Sequence, residues 1–500
     1  MSASTAQSEA GRGLRRSILS LSMVNAIDMA FQFLIPMLLV RLLGDADFGA
    51  YRTLWLLATT AIGVLGFAVP FSLYYFVPRL PRVESAVFVR QAGLYMALAG
   101  ALGALAAAWW CSWQGMNLHL GTGVALFVGI WVFASLLDAF FSSQQRAVEQ
   151  AKLNLFFALL RVGLIIGAAQ QWNSWEAVLI AHLVLASAKG LACAVGVARF
   201  SAAGARIRSQ TVSEHARYVA PFGVSSAMYL LRGRIDQWLV ASTFSAAQFG
   251  LYSVAAVIIP IQGLLRMTIN QVVLPEMNRL QSTGNLDEMQ AVNRRGNLAV
   301  ALLMFPVLAF LSSRTEALLD FLFTADYSAA ASVVRIYCVM LLIESIEVTM
   351  ILTAMRQGSF MMRIDALVLP IVVAVSWLGA SEFGPSGAAA GGAAGALIAQ
   401  VAAFRRTSVV TGTPVRDCQD WWVLGRISLA AAVSAGLLLC LHGGVLGQPP
   451  VVESGLLALL IDGAGFMVVY WLCLRALRLR TAVRDALGAS AARFIGFGGP

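Results

Sequence analysis

Charge is what this chain has least of. Asp, Glu, Lys and Arg make up 12% of its 500 residues, against roughly 25% in an ordinary soluble domain. Hydrophobic residues make up 59% and mean hydropathy is +0.77, so the solvent for most of the chain is a bilayer. Lysine is nearly missing. Lys152 and Lys189 are the whole supply and neither follows a glycine, which leaves no Gly-x-x-x-x-Gly-Lys phosphate loop and argues against direct ATP hydrolysis. The six cysteines (Cys111, Cys193, Cys338, Cys418, Cys440, Cys473) are scattered with no Cys-x-x-Cys pair, and the four histidines are equally dispersed. They read as small apolar residues, with no disulfide framework, metal site or cofactor expected. Long polar loops are missing too, since none exceeds roughly twenty residues. That excludes an attached catalytic or nucleotide-binding domain.

What is present is a succession of apolar stretches, each long enough to cross a hydrocarbon core of about 30 Å. Fourteen spans are expected, at 17–43, 52–77, 88–110, 120–142, 154–171, 176–198, 217–243, 250–275, 297–312, 330–354, 362–380, 387–404, 424–446 and 453–477. The first follows Arg12, Arg15 and Arg16 but is too long for a signal peptide and lacks a clear cleavage site, so it reads as a retained helix. The net charge of +10 invites a nucleic-acid partner, and its distribution refuses one. Cations gather in alternate loops: Arg79, Arg82 and Arg90; Arg199, Arg206, Arg208 and Arg217; Arg405, Arg406, Arg416 and Arg426; and Arg475, Arg478, Arg480, Arg484 and Arg493. In the opposite loops Arg314 stands alone. Cationic loops resist translocation, so both termini are expected in the cytoplasm.

One segment occurs twice. LLVRLLGDADFGAY (38–51) aligns with LVASTFSAAQFGLY (239–252) without a gap, so Phe48-Gly49-Ala50-Tyr51 matches Phe249-Gly250-Leu251-Tyr252. Val77-Pro78-Arg79-Leu80 trails the first copy, and Leu274-Pro275 followed by Arg279-Leu280 trails the second. Six spans separate the copies, an even number, so the repeat is parallel. The expected fold is therefore an all-α polytopic membrane protein of about fourteen transmembrane helices. It divides into a tail (1–16), a six-helix bundle (17–198), a cytoplasmic linker (199–216), a second six-helix bundle (217–404), a cytoplasmic loop (405–423), an appended helix pair (424–477) and a cytoplasmic tail (478–500). Gly49 and Gly250 are expected to permit tight reversals between helices, with Tyr51 and Tyr252 in the interfacial aromatic belt.

Ionisable residues inside spans cost about 2.5–3.5 kcal/mol each on insertion scales, so they face a cavity or a partner. The cations are Arg161, Lys189, Arg232, Arg234, Arg266 and Arg335, with Arg41 and Arg52 flanking the first repeat. Guanidinium groups stay charged when desolvated and grip phosphate oxygens through paired N–H donors. Arg232, Arg234, Arg266, Arg161, Arg52 and Arg41 are therefore candidate binders of a phosphate or diphosphate. Arg232 and Asp236 lie four apart on one helix face, where an internal ion pair is the plainer alternative. Glu344 and Glu347 lie three apart, where they share a proton or, more plainly, pair with Arg335 or Arg356. With Asp28 and Asp236 they are the candidates for coupling to H+ or Na+. Pro36, Pro70, Pro221, Pro260, Pro306 and Pro370 interrupt spans as candidate hinges. GPSGAAAGGAAGALIAQ (384–400) puts Gly387, Gly391 and Gly395 on one face, ready for close backbone approach.

On RLLGDADFGAY, the charged RGRIDQWLV (232–240) leading into FGLY, and the Pro-x-x-x-Arg-Leu ending at Leu280, the chain resembles the polysaccharide flippase branch of the multidrug/oligosaccharidyl-lipid/polysaccharide exporter superfamily. The resemblance implies a V-shaped pair of six-helix bundles around a cationic cavity. It also implies a transporter and not an enzyme, placed in the bacterial inner membrane. Its partner would be an undecaprenyl-diphosphate-linked oligosaccharide among membrane lipids, with a polysaccharide polymerase or co-polymerase alongside. A lipid-linked peptidoglycan precursor flippase and a membrane-embedded polysaccharide polymerase or ligase stay open as alternatives. A drug exporter of the same superfamily fits less well, since cationic drugs favour acidic cavities.

Overall fold

An apolar segment in a bilayer must satisfy its backbone polar groups within itself, and the helix does so. The computed structural model describes residues 23–24, 26–144, 146–201, 209–442, 455–484 and 486. Among the described residues there are helices and no strand. The helices are α1 (26–42), α2 (Asp45–Leu65), α3 (Val69–Phe76), α4 (Arg82–Trp113), α5 (Leu118–Ala134), α6 (Leu136–Ser143), α7 (Ala147–Trp172), α8 (Trp175–Ser201) and α9 (Ser209–Arg232). They continue with α10 (Ile235–Thr243), α11 (Ala246–Ala255), α12 (Ile259–Ser282), α13 (Leu286–Ser313), α14 (Thr315–Leu322), α15 (Ala331–Glu344), α16 (Thr349–Ala354), α17 (Gly358–Thr411), α18 (Trp421–Leu441) and α19 (Leu456–Ala476). The expected tail 1–16, the middle of the linker (202–208), the outer loop 447–453 and nearly all of the tail beyond Arg484 lie outside the described residues.

Among the described residues, ten helices are long and apolar enough to cross a membrane; this is a multi-pass membrane protein. Of the four spans by which ten falls short of fourteen, that at 17–43 begins outside the described residues and the other three have local causes. The expected spans at 217–243 and 250–275 are interrupted, by the break at 233–234 between α9 and α10 and by the change of helix type at Ala256–Ile258. The spans at 362–380 and 387–404 are the two arms of α17, which reverses at Gly384 (φ 66°, ψ −156°). The arms fold back on each other along the expected glycine face. A Cβ on Gly387 would run into the backbone of Gly379, and one on Gly391 into Ser376. The span at 52–77 also breaks, at Phe67 and Ala68, both left-handed (φ 46° and 57°), just ahead of Pro70 at the start of α3, but its part up to Leu65 is among the ten.

The helices gather into two compact units. One holds the described residues up to Leu231 together with Ala241–Gly250, and the other holds Arg232–Val240 together with the described residues from Leu251 onward. In the first, α5 packs against α4 and α8, and α7 against α8. In the second, α13 packs against α12 and α18, α15 against α17, and α18 against α19.

The repeated motif does different work from that expected of it. Both copies lie inside helices, α2 and α11, so neither glycine makes a reversal, and neither has a positive φ. Within the first unit they let backbones touch. A Cβ on Gly49 would be driven into the carbonyl of Ala246, and one on Gly250 would sit 3.1 Å from Gly49 Cα. The tyrosines are not in an interfacial belt. Tyr51 is 4% exposed and Tyr252 fully buried, because each stacks one turn along the inward face of its helix. Gly49→Ala is expected to cost about 1–3 kcal/mol, as overpacking against backbone does. Gly163→Ala, in open space on α7, is expected to be neutral or slightly stabilising. Thermal unfolding in detergent checks both, and equal Tm values would mean that the contact does not matter to stability.

Candidate functional site

Four helices of the first unit line one pocket, each offering residues spaced four apart or a single polar side chain. Helix α1 supplies Gln32, Ile35 and Pro36, α2 supplies Tyr51, Arg52 and Trp55, α7 supplies Arg161 and Ile165, and α8 supplies His182. The i, i+4 spacing of Gln32 with Pro36, Tyr51 with Trp55, and Arg161 with Ile165 places each pair on one helix face. Free space amounts to about 20 Å³, room for one water-sized group.

The charge in this pocket is arranged around Arg161. Its Nη2 donates to Asp28 Oδ1 at 2.9 Å and reaches the Asp28 carbonyl at 3.4 Å. Gln32 Nε2 donates to the other carboxylate oxygen at 2.9 Å. Arg161 is 8% exposed and its Nε has no hydrogen-bond partner among the described residues. Three of the nominated residues, Asp28, Arg161 and Arg52, thus come together here, whereas Arg41 is exposed at the end of α1 and does not line the pocket. His182, which sequence reasoning passed over, is wedged among aromatic rings with centroids 5.7 Å from Tyr51, 6.1 Å from Trp55 and 5.4 Å from Phe127. Farther along α8, Lys189 pairs with Asp138 at 3.1 Å and lies over the Trp131 ring.

The second unit holds the remaining nominated residues in two polar clusters. Arg232 does not pair with Asp236 four residues on; its Nε meets Asp365 Oδ1 of α17 at 3.0 Å. The reason is the break at Gly233 and Arg234, which ends α9 and takes Asp236 off the expected stacked face. Asp236 instead accepts from the hydroxyls of Tyr252 (2.7 Å) and Tyr337 (2.6 Å) and from the Gln237 amide (2.8 Å). Arg234 lies half-buried in the break, its carbonyl accepting from the Trp238 amide.

Helix α15 stops at Glu344, and α16 begins only at Thr349. Carbonyls freed by this break are met by side chains from three neighbouring helices. Arg266 of α12 donates to Ser345 O, Asn293 and Asn297 of α13 donate to Glu347 O at 3.1 and 2.7 Å, and Gln400 of α17 reaches Ile343 O and Ile346 O. The Glu347 carboxylate lies 3.7 Å from Arg266 Nη1 and accepts from Asn270 and Thr349. Neither glutamate takes up Arg335, which makes a two-pronged pair with Glu316 at 2.6 and 2.7 Å. In the trailing marker, Arg279 pairs locally with Glu276 at the exposed end of α12. Its hydrogen bonds hold the Glu276 carboxyl below the usual range.

Sequence signals for the missed residues existed. Asn293 and Asn297, four apart in an apolar helix, mark one polar face. Tyr252 carried a repeat signal that pointed to the interface instead. Among the described residues no group of three or more His, Cys, Asp or Glu is placed to hold a metal ion.

Comparison with solved structures shows the fold. The lipid II flippase MurJ in an inward closed conformation matches with a TM-score of 0.70 at 12% identity, over 93% of this chain and 99% of that one. An inward-facing multidrug resistance MATE family transporter of the MOP superfamily matches with a TM-score of 0.59 at 12% identity, over 79% and 98%. The Vibrio cholerae MATE transporter VcmN matches with a TM-score of 0.53 at 13% identity, over 83% and 99%. No curated protein matches the sequence. The family described as polysaccharide biosynthesis protein matches residues 38–332, more than half of the chain. The chain therefore belongs to the polysaccharide biosynthesis protein family and has the fold of the MOP superfamily transporters.

Proposed function

We propose that this protein is a flippase that moves an undecaprenyl-diphosphate-linked oligosaccharide repeat unit from the inner to the outer leaflet of the bacterial inner membrane. It works by alternating access, with both termini cytoplasmic, as a transporter and not an enzyme. The unit it delivers feeds exopolysaccharide, capsule or O-antigen synthesis, with a polymerase or co-polymerase as the next partner. The observation that carries this reading is the convergence of Arg52 and Arg161 on one pocket among membrane helices, in a family of polysaccharide biosynthesis proteins. Buried guanidinium groups suit phosphate oxygens. Arg232, Arg234 and Arg266 of the second unit, and Arg41 of the first, are further guanidinium groups for the diphosphate. Asp28, Asp236, Glu344 and Glu347 are the groups through which H+ or Na+ entry drives the cycle.

A second reading is transport of a lipid-linked peptidoglycan precursor, favoured by the 0.70 TM-score with the lipid II flippase. Gene deletion followed by mass spectrometry of the lipid fraction separates the two. Accumulation of an inward-facing diphosphate-linked oligosaccharide is the expected result. Accumulation of a peptidoglycan precursor instead would establish the second reading, and an unchanged lipid fraction would overturn both.

A further inference from the structure

We infer that His182 is the proton-carrying member of the Arg161 pocket, taking up one proton when a phosphate oxygen enters and releasing it when that oxygen leaves. The inference rests on the anion-binding reading above and adds to it a proton step at one atom.

The ring's two nitrogens have different fates. Nδ1 lies 2.8 Å from the carbonyl oxygen of Val178. That oxygen can only accept, so Nδ1 carries the hydrogen, and the tautomer follows from this bond. Nε2 is then a lone-pair acceptor. It is buried, has no hydrogen-bond partner among the described residues, and belongs to a side chain 1% exposed that lines the pocket. It is the polar atom the ring has left to offer the cavity.

The pocket's occupant decides what Nε2 must be. A single water fits the space and can donate to Nε2. A phosphate oxygen of a diester can only accept, so placing it beside an unprotonated Nε2 sets acceptor against acceptor. A proton from the aqueous phase resolves the conflict: Nε2–H then donates to the anion, and the new cation is matched by the ligand's charge. Without the anion that cation would face Arg52 of α2 and Arg161 of α7 beside the Tyr51 hydroxyl of α2, with a single carboxylate, Asp28 of α1, already paired to Arg161. From α5 the ring meets Phe127, which carries no charge. Because Asp28 already balances Arg161, a doubly charged diphosphate calls on cations beyond that pair, and His182 supplies one on demand.

The test uses the full chain in nanodiscs and a short-chain lipid diphosphate diester bearing one sugar, neither phosphate of which titrates near neutral pH. Calorimetric titration at pH 8 in two buffers of different ionisation enthalpy counts protons per ligand bound. The parent is expected to take up about one proton and His182→Gln none, with the probe still bound more weakly. Nitrogen NMR of labelled histidine in the parent, which needs no variant, is expected to show the Nε2 signal move from lone-pair to protonated on ligand addition. Uptake unchanged in His182→Gln, or binding by the parent with no uptake and no Nε2 shift, would overturn the inference and leave anion binding standing. No binding by the parent, with flipping untouched in Arg161→Ala, would remove the anion reading and this inference with it.

Discussion

Arg161→Ala is expected to lower export by about a hundredfold or more. Two losses combine. A ligand oxygen loses two charge-assisted hydrogen bonds, each worth about 1.5–3 kcal/mol, and 1.4 kcal/mol is a factor of about ten. Asp28 also loses the partner 2.9 Å from its carboxylate and keeps only the Gln32 amide, a loss of about 1–3 kcal/mol. The second loss is structural, and it can be removed by itself. In the double variant Arg161→Ala, Asp28→Asn no charge is stranded, so Tm should return near the parent's while export stays low. Arg161→Lys keeps the charge without the planar fork, so export should recover only in part. Export and detergent Tm, measured together for all three variants, check the assignment. Full export by the double variant would reduce the Arg161–Asp28 pair to a helix tie.

The sequence carried the class of fold well because bilayer physics leaves few choices. Apolar runs follow from the solvent, and the helices now seen at Arg82–Trp113, Trp175–Ser201 and Leu456–Ala476 cover spans expected at 88–110, 176–198 and 453–477. What periodicity could not show was where helices break. The interruption at 345–348 is made tolerable by distant side chains that no window of local hydropathy contains, and no such window marks the one at 233–234 either. The same blindness explains the ion pairs. Arg232 and Asp236 satisfy the i, i+4 rule on paper, but the rule assumes an unbroken helix between them. Asp28 and Arg161 are 133 residues apart, and only packing brings them together. His182 was missed because an isolated histidine in an apolar helix has no local mark. Its environment comes from α2, α5 and α7, and its role follows from one hydrogen bond to its own backbone.

Arg266→Ala is expected to be the most destabilising substitution in the second unit, by about 3–5 kcal/mol. In the structure this guanidinium is 8% exposed and committed to Ser345 O and to the Glu347 carboxylate. Removing it strands both at once, a freed carbonyl of the broken α15–α16 span and a buried charge. Asn297→Leu tests the same break from another helix. It takes a 2.7 Å donor from Glu347 O and should cost about 1–3 kcal/mol, the desolvation penalty of one unsatisfied group. The Arg266 loss divides further with a second site. Glu347→Gln in the Arg266→Ala background neutralises the stranded charge, so most of the lost stability should return, leaving roughly the cost of one orphaned carbonyl. Thermal unfolding reports that division, and export measured on the same variants reports the other role proposed for Arg266. If Tm recovers in the double variant and export does not, Arg266 both holds the break open and meets the anion. A single variant with the parent's Tm and no export would confine Arg266 to the substrate. Recovery of both would confine it to the break, and anion binding in this unit would then fall to Arg232 and Arg234.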